Sequence, residues 1–107
     1  MKKTMKLETR FGVYNVYVKR HKYTNGNNAI SLICDTGEPF AFATTNTFGT
    51  LNSNEAILDT NNLPEVVDLF LKYKLGHEVG MVYQGFCSYP IFEIDFDELK
   101  KYERGEE

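Results

Sequence analysis

The sequence predicts an α+β domain spanning residues 1–107 as a single unit. It has a mostly antiparallel sheet of five to seven strands, one amphipathic helix over about 63–75 on one face, and a short C-terminal helix. Three observations carry this. Runs that alternate apolar and polar residues recur before Thr60 and again after His77, the period of a half-buried strand. Within DTNNLPEVVDLFLKYKLG, from Asp59 to Gly76, the residues Leu63, Val66, Val67, Phe70, Leu71 and Leu75 recur at steps of three and four and make one helical face. Asp95 with Glu98 three residues on is the spacing of a capping box, which starts the last helix.

The elements follow in order. Lys3–Thr9 alternates around Met5 and Leu7 and reads as a strand, and Arg10–Gly12 connects it to a second strand over Val13–Arg20. There Tyr14, Val16 and Val18 face one way and Val13 and Tyr17 the other, so the strand belongs inside the sheet rather than at its edge. Asn25–Gly26 is a hairpin signal, followed by a third strand over Ala29–Cys34. The turn Asp35–Pro39 leads to a fourth strand, Phe40–Thr45, with Phe40 and Phe42 large on one side and Ala41 and Ala43 small on the other. Thr47–Asn54 is the longest loop, and Ala56–Thr60 a fifth strand. Asn61 or Asn62 is placed to cap the helix, Pro64 fits its first turn, and Gly76 supplies a left-handed stop. Glu78–Phe86 and Tyr89–Ile94 close the sheet as a hairpin or a bent strand, with Ser88 near the bend.

Composition narrows the class. A hydrophobic content of 42% and a charged content of 25% are ordinary for a globular domain, and seven Tyr and eight Phe fall largely in strand runs. No apolar run approaches the roughly 18 residues that span a bilayer. MKKTMKLETR begins like a signal peptide but lacks its apolar core, so a cytoplasmic protein is expected. Cys34 and Cys87 lie in apolar strand patterns and read as buried free thiols. Charge is uneven. Residues 1–22 hold seven Lys/Arg against Glu8, and residues 93–107 hold seven acidic residues against Lys100, Lys101 and Arg104. The molecule is therefore dipolar unless folding brings its two ends together.

Little of this points to catalysis. His21 lies in the basic run Lys19–Lys22 and His77 follows the helix, neither near a nucleophile in a catalytic spacing, and both read as surface residues. No Cys/His spacing suits a metal and no glycine-rich phosphate loop occurs, so neither cofactor nor metal is expected. Glu93 and Asp95 would share a strand face and attract a hard cation, although a solvated edge and a helix cap explain them as well. Lys19, Arg20 and Lys22 beside Tyr14, Tyr17 and Tyr23 could pair phosphate contacts with base stacking, but a pI near 5.4 argues against direct nucleic-acid binding. The small-ligand candidate is the polar turn Asp59, Thr60, Asn61 and Asn62 at a helix N-terminus, with Tyr83, Gln84 and Tyr89 lining it. The plainer reading of that turn is an ordinary cap.

The blocks T-x-F-G-x-Y-x-V-Y (Thr9, Phe11, Gly12, Tyr14, Val16, Tyr17), D-T-N-N-x-P (Asp59–Pro64) and G-F-C-S-Y-P (Gly85–Pro90) resemble a small domain family of unknown function. Its members are encoded in gut Firmicutes and Bacteroidetes, often on conjugative elements, plasmids and prophages. The resemblance runs from about residue 5 to residue 96. It implies a non-enzymatic, anti-defence binding protein of a mobile genetic element, with a host defence nuclease as the partner, as for anti-CRISPR proteins. Glu93, Asp95, Asp97 and Glu98, extended by Glu103, Glu106 and Glu107, would then enter a basic groove of that partner. The alternative is a binder of a nucleotide-type ligand at Asp59–Asn62.

Overall fold

A computed structural model describes residues 3–47 and 49–104. The first sheet runs in chain order: β1 (Met5–Thr9), β2 (Gly12–Lys22), β3 (Asn28–Cys34) and β4 (Pro39–Phe42), all antiparallel neighbours. β2 is an inner strand, as its two apolar faces predict, with Val16 and Val18 fully buried and Val13 left largely exposed. The Asn25–Gly26 hairpin forms, closed by the Tyr23 N–H donating to the Asn27 carbonyl at 2.9 Å.

The second sheet holds β5 (Thr44–Thr45), β6 (Glu55–Leu58), β7 (Gly76–Gln84) and β8 (Cys87–Ile94) in the order β5–β6–β8–β7. The architecture is thus α+β and mostly antiparallel, but with two four-stranded sheets in place of one sheet of five to seven strands. The difference arises at Ala43. The run Phe40–Thr45, read as one strand, breaks there into β4 and β5. The Ala43 N–H donates to the Ile30 carbonyl at 2.8 Å and its carbonyl accepts from Asp59 N–H at 2.9 Å, so one segment leaves β3 and joins β6. Val16, Val18, Ile30 and Leu32 from the first sheet meet Ala56, Leu58, Phe92 and Ile94 from the second in one core. The loop between β5 and β6 is pinned to the β2–β3 turn by asparagines. Asn27, 4% exposed, donates to Asn46 Oδ1 at 3.0 Å and to the Gly49 carbonyl at 2.8 Å, and accepts from Leu51 N–H at 2.9 Å.

The helix α1 covers Val66–Lys72, shorter than the expected 63–75. Glu65 is its N-cap and makes no side-chain cap bond; Asn61, Asn62 and Pro64 belong to the preceding turns. With Val66 as the first buried position, steps of three and four lead to Leu69 and Phe70, which are buried. Leu71 falls off that face and is 51% exposed, so Leu69 takes the core place expected for Leu71. Leu63 and Leu75 are buried from the flanking turns, which explains why the apolar pattern overran the helix. Lys74, not Gly76, adopts the positive φ (59°) that ends the helix. Gly76 instead opens β7, where a Cβ would run into the Glu93 carbonyl.

The β7–β8 hairpin turns at Gly85–Phe86, before the expected bend at Ser88. Asp95 starts α2 (Phe96–Leu99) as predicted, its Oδ1 accepting from Glu98 N–H at 3.1 Å. The box is half formed: the Asp95 N–H donates to the Leu75 carbonyl at 2.8 Å, and Glu98 pairs with Lys101 at 3.0 Å. A 3-10 turn, Lys100–Tyr102, then lays Glu103 parallel beside Val18, where it meets Arg20 at 3.0 Å. Acidic and basic ends are therefore neighbours over this stretch. Cys34 and Cys87 are free and half-buried.

Candidate functional site

The turn Asp59–Asn62 is held by its own atoms. Asp59 is 6% exposed, its Oδ1 accepts from Asn62 N–H at 3.1 Å and its Oδ2 accepts from Asn62 Nδ2 at 2.8 Å. Leu63 N–H donates to the Asp59 carbonyl at 2.9 Å. Both carboxylate oxygens of Asp59 thus accept from Asn62, and the turn lies ahead of the helix rather than at its N-terminus. Thr60 is half-buried and Asn61 exposed. Of the residues expected to line this turn, Tyr89 feels it. The Tyr89 hydroxyl is held above its ordinary value of 10, first by its bond with the Cys87 side chain, then by burial and the charges of Cys87 and Asp59. Tyr83 lies opposite Ser88 while Val82 lies opposite Tyr89, so strand alternation sends Tyr83 to the other face of the hairpin. Gln84 lines a different cavity of about 290 Å³ with Thr24, Asn25, Asn46 and Thr47.

The acidic candidates divide. Glu93, directly opposite His77 on β7, and Asp95 line a groove of about 400 Å³ with Leu71, Lys74, Gly76, His77 and Ile94. Asp97 is exposed on the first turn of α2, and Glu98 is engaged with Lys101. Glu103 faces the basic strand instead, and Glu106 and Glu107 lie outside the described residues. Strained Lys74 and half-exposed Leu71 could not be assigned to this groove from sequence, because the pattern placed Leu71 in the core. No group of three His, Cys, Asp or Glu that could hold a metal occurs among the described residues.

The basic–aromatic set is largely engaged within the chain. Arg20 pairs with Glu103 and lies over the Phe96 ring at 5.3 Å, and Lys22 Nζ donates to Asn28 Oδ1 at 2.9 Å. Arg104 covers the Tyr17 ring at 4.1 Å, and the Tyr23 hydroxyl reaches the Thr44 carbonyl at 3.1 Å. Tyr14 packs on Phe40 with ring centroids 4.8 Å apart. That pair forms part of a cavity the sequence did not announce. About 280 Å³ in volume, it is lined by Phe11, Tyr14, Phe40, Asn62 and Pro64, with Arg10 over the Phe11 ring at 5.0 Å. The available signal was Phe11, a bulky aromatic in a two-residue turn where small or polar residues are usual.

No helix among the described residues is long and apolar enough to cross a membrane. No curated protein and no solved structure matches the chain. One family model does, over residues 17–106, from the middle of β2 to beyond the 3-10 turn. That match covers most of the chain, which therefore belongs to the domain of unknown function family DUF4313.

Proposed function

We propose that this domain is a non-enzymatic binding protein that engages a protein partner through the groove between the end of α1 and the β7–β8 hairpin. The observation that carries the reading is the make-up of that groove: half-exposed Leu71 shares it with the carboxylates of Glu93 and Asp95 and with Lys74 and His77. An apolar centre with a charged rim is the usual anatomy of a protein interface. The partner that fits is a protein with a basic surface. A host defence nuclease, whose nucleic-acid groove is basic, is the specific candidate, with the chain acting as its inhibitor within a mobile genetic element. Purified protein mixed with a panel of such nucleases should reduce target-DNA cleavage, and Glu93→Lys with Asp97→Lys should restore it and flatten its salt dependence. Asp95 is left in place because it caps α2. Full cleavage across the panel with the unmodified chain refutes the inhibitor role.

A second reading is favoured by the aromatic cavity. Paired aromatics, tilted at 45°, beside an amide and an arginine suit a planar ring carrying an anionic group, the chemistry of a nucleotide. Asn62 belongs both to the turn singled out in the sequence and to this cavity. A nucleotide panel read by thermal shift tests it, since a ligand bound only by the native state raises the melting temperature by mass action. No shift with any member rejects the reading.

A further inference from the structure

We propose that β7 is a self-pairing edge, and that two copies of this chain join through it antiparallel about a two-fold axis at Val82. The other edge strands are shorter and partly engaged. The Lys6 N–H on β1 donates to the Tyr73 hydroxyl at 2.7 Å beside α1. β4 and β5 are successive parts of one segment, bonded to β3 and β6 around Ala43. β7 is the longest of the four edge strands, nine residues that end their sheet with β8 on one side only.

Natural edges are guarded by lysine, proline or a bulge. β7 has a bulge between Glu78 and Gly80, but beyond it Gly80–Gln84 contains neither charge nor proline. No charged residue occurs from Val79 to Phe92, in a chain that is 25% charged. A charged partner finds no counter-charge there. A second copy of this acidic chain meets the strip without repulsion, so the charge pattern selects self over a charged stranger.

The register follows from the hairpin. Gln84 and Cys87 flank the two-residue turn and exchange backbone bonds, so alternation makes Val82–Tyr89 bonded and leaves Tyr83–Ser88 and Met81–Pro90 unbonded. Pro90, which has no N–H, fits that assignment. The backbone N–H and C=O groups of Met81 and Tyr83 therefore point outward. With Val82 against Val82 of the second copy, each Met81 meets a Tyr83 as a hydrogen-bonded pair, and both outward rungs are satisfied. The same register brings Phe86 to the partner copy's bulge, where Val79 is 44% exposed.

The area suffices for a modest dimer. Tyr83 and Phe86 are 77% and 110% exposed. At roughly 150–250 Å² per buried ring, two copies contribute on the order of 600–1,000 Å² from these aromatics, before Val79, Met81 and the strands are counted. A specific interface needs about 1,000 Å², which this strip reaches only with its backbone and both flanking side chains included.

The test is site-specific cross-linking with both native cysteines replaced, Cys34→Ser and Cys87→Ser. Val82→Cys should form a disulfide-linked dimer under mild oxidation. Its mate in the second copy is itself, in an unbonded pair whose Cα atoms lie about 4.5 Å apart, within disulfide reach. Gln84→Cys, whose mate is Gly80, should cross-link far less. Sedimentation should show the 12.3 kDa chain doubling in mass with concentration. Met81→Pro removes the outward N–H and should give a monomer with unchanged circular dichroism and a melting temperature that no longer rises with concentration. A monomer at every concentration up to roughly 1 mM overturns the proposal. Gln84→Cys cross-linking as readily as Val82→Cys overturns it too, as does a Met81→Pro variant that folds and still dimerises.

Discussion

Replacing Phe70 with alanine tests the packing of α1 on the two sheets. Phe70 is 0% exposed, and it meets Phe92 of β8 edge-on, with centroids 6.3 Å apart and planes at 86°. Truncating a fully buried phenylalanine costs about 3–5 kcal/mol through lost transfer energy and the cavity left behind. About 0.5–1.5 kcal/mol of that belongs to the aromatic pair itself. A domain of this length has a total stability of roughly 5–15 kcal/mol, so the variant loses a large share of it. Its melting temperature should fall by about 12–25 °C. Urea denaturation followed by far-UV circular dichroism measures the loss. Phe92→Leu and the double variant then complete a cycle, whose coupling energy should be on the order of 1 kcal/mol. A loss under about 1 kcal/mol for Phe70→Ala, or no coupling to Phe92, refutes the packing described here.

Gly76→Ala should destabilise by about 1–3 kcal/mol in the same assay, because the added methyl must displace the Glu93 carbonyl. Asn27→Ala leaves the Leu51 N–H without its acceptor and should cost about 1–3 kcal/mol, with faster proteolysis of the loop after β5 as the second readout. Tyr102 gives a pH dependence. Burial, then the charge of Glu98, raises its hydroxyl above the ordinary value of 10. The folded state thus keeps a proton that the unfolded state loses, so this contribution is complete below about pH 10 and declines as pH rises through the folded value. Tyr102→Phe should flatten that alkaline decline in denaturation midpoints.

Much of the fold was readable because local and tertiary preferences agree. Val16, Val18, Ile30 and Leu32 alternate in sequence and are buried as that alternation requires. Asp95 caps the helix that its spacing with Glu98 announces. The failures fall where tertiary structure overrides a local pattern. Leu63 and Leu75 are buried from turns, which made a seven-residue helix look like one of thirteen. Ala43 bends a continuous apolar run because bonding partners on two different strands pull it apart, and no residue type signals that. The sites were less legible. Asp59 and Asn62 are joined, but Tyr83 is separated from Tyr89 by strand alternation once the turn is placed at Gly85–Phe86 rather than Ser88. The aromatic cavity joins residues from β1–β2, β4 and the turn before α1, a union that only the assembled fold creates.

The bend at Ala43 also bears on how the protein comes apart. Since one backbone segment stitches β3 to β6, neither sheet can open along that seam without tearing the hydrogen bonds of its neighbour. The two sheets should behave as a single cooperative unit. Amide protons on Ile30, Ala43 and Asp59 would then exchange with solvent only through global opening, at one shared rate-limiting free energy, while the tip of the β7–β8 hairpin exchanges by local fraying. The seam, and not either sheet alone, would set the protein's lifetime against proteases.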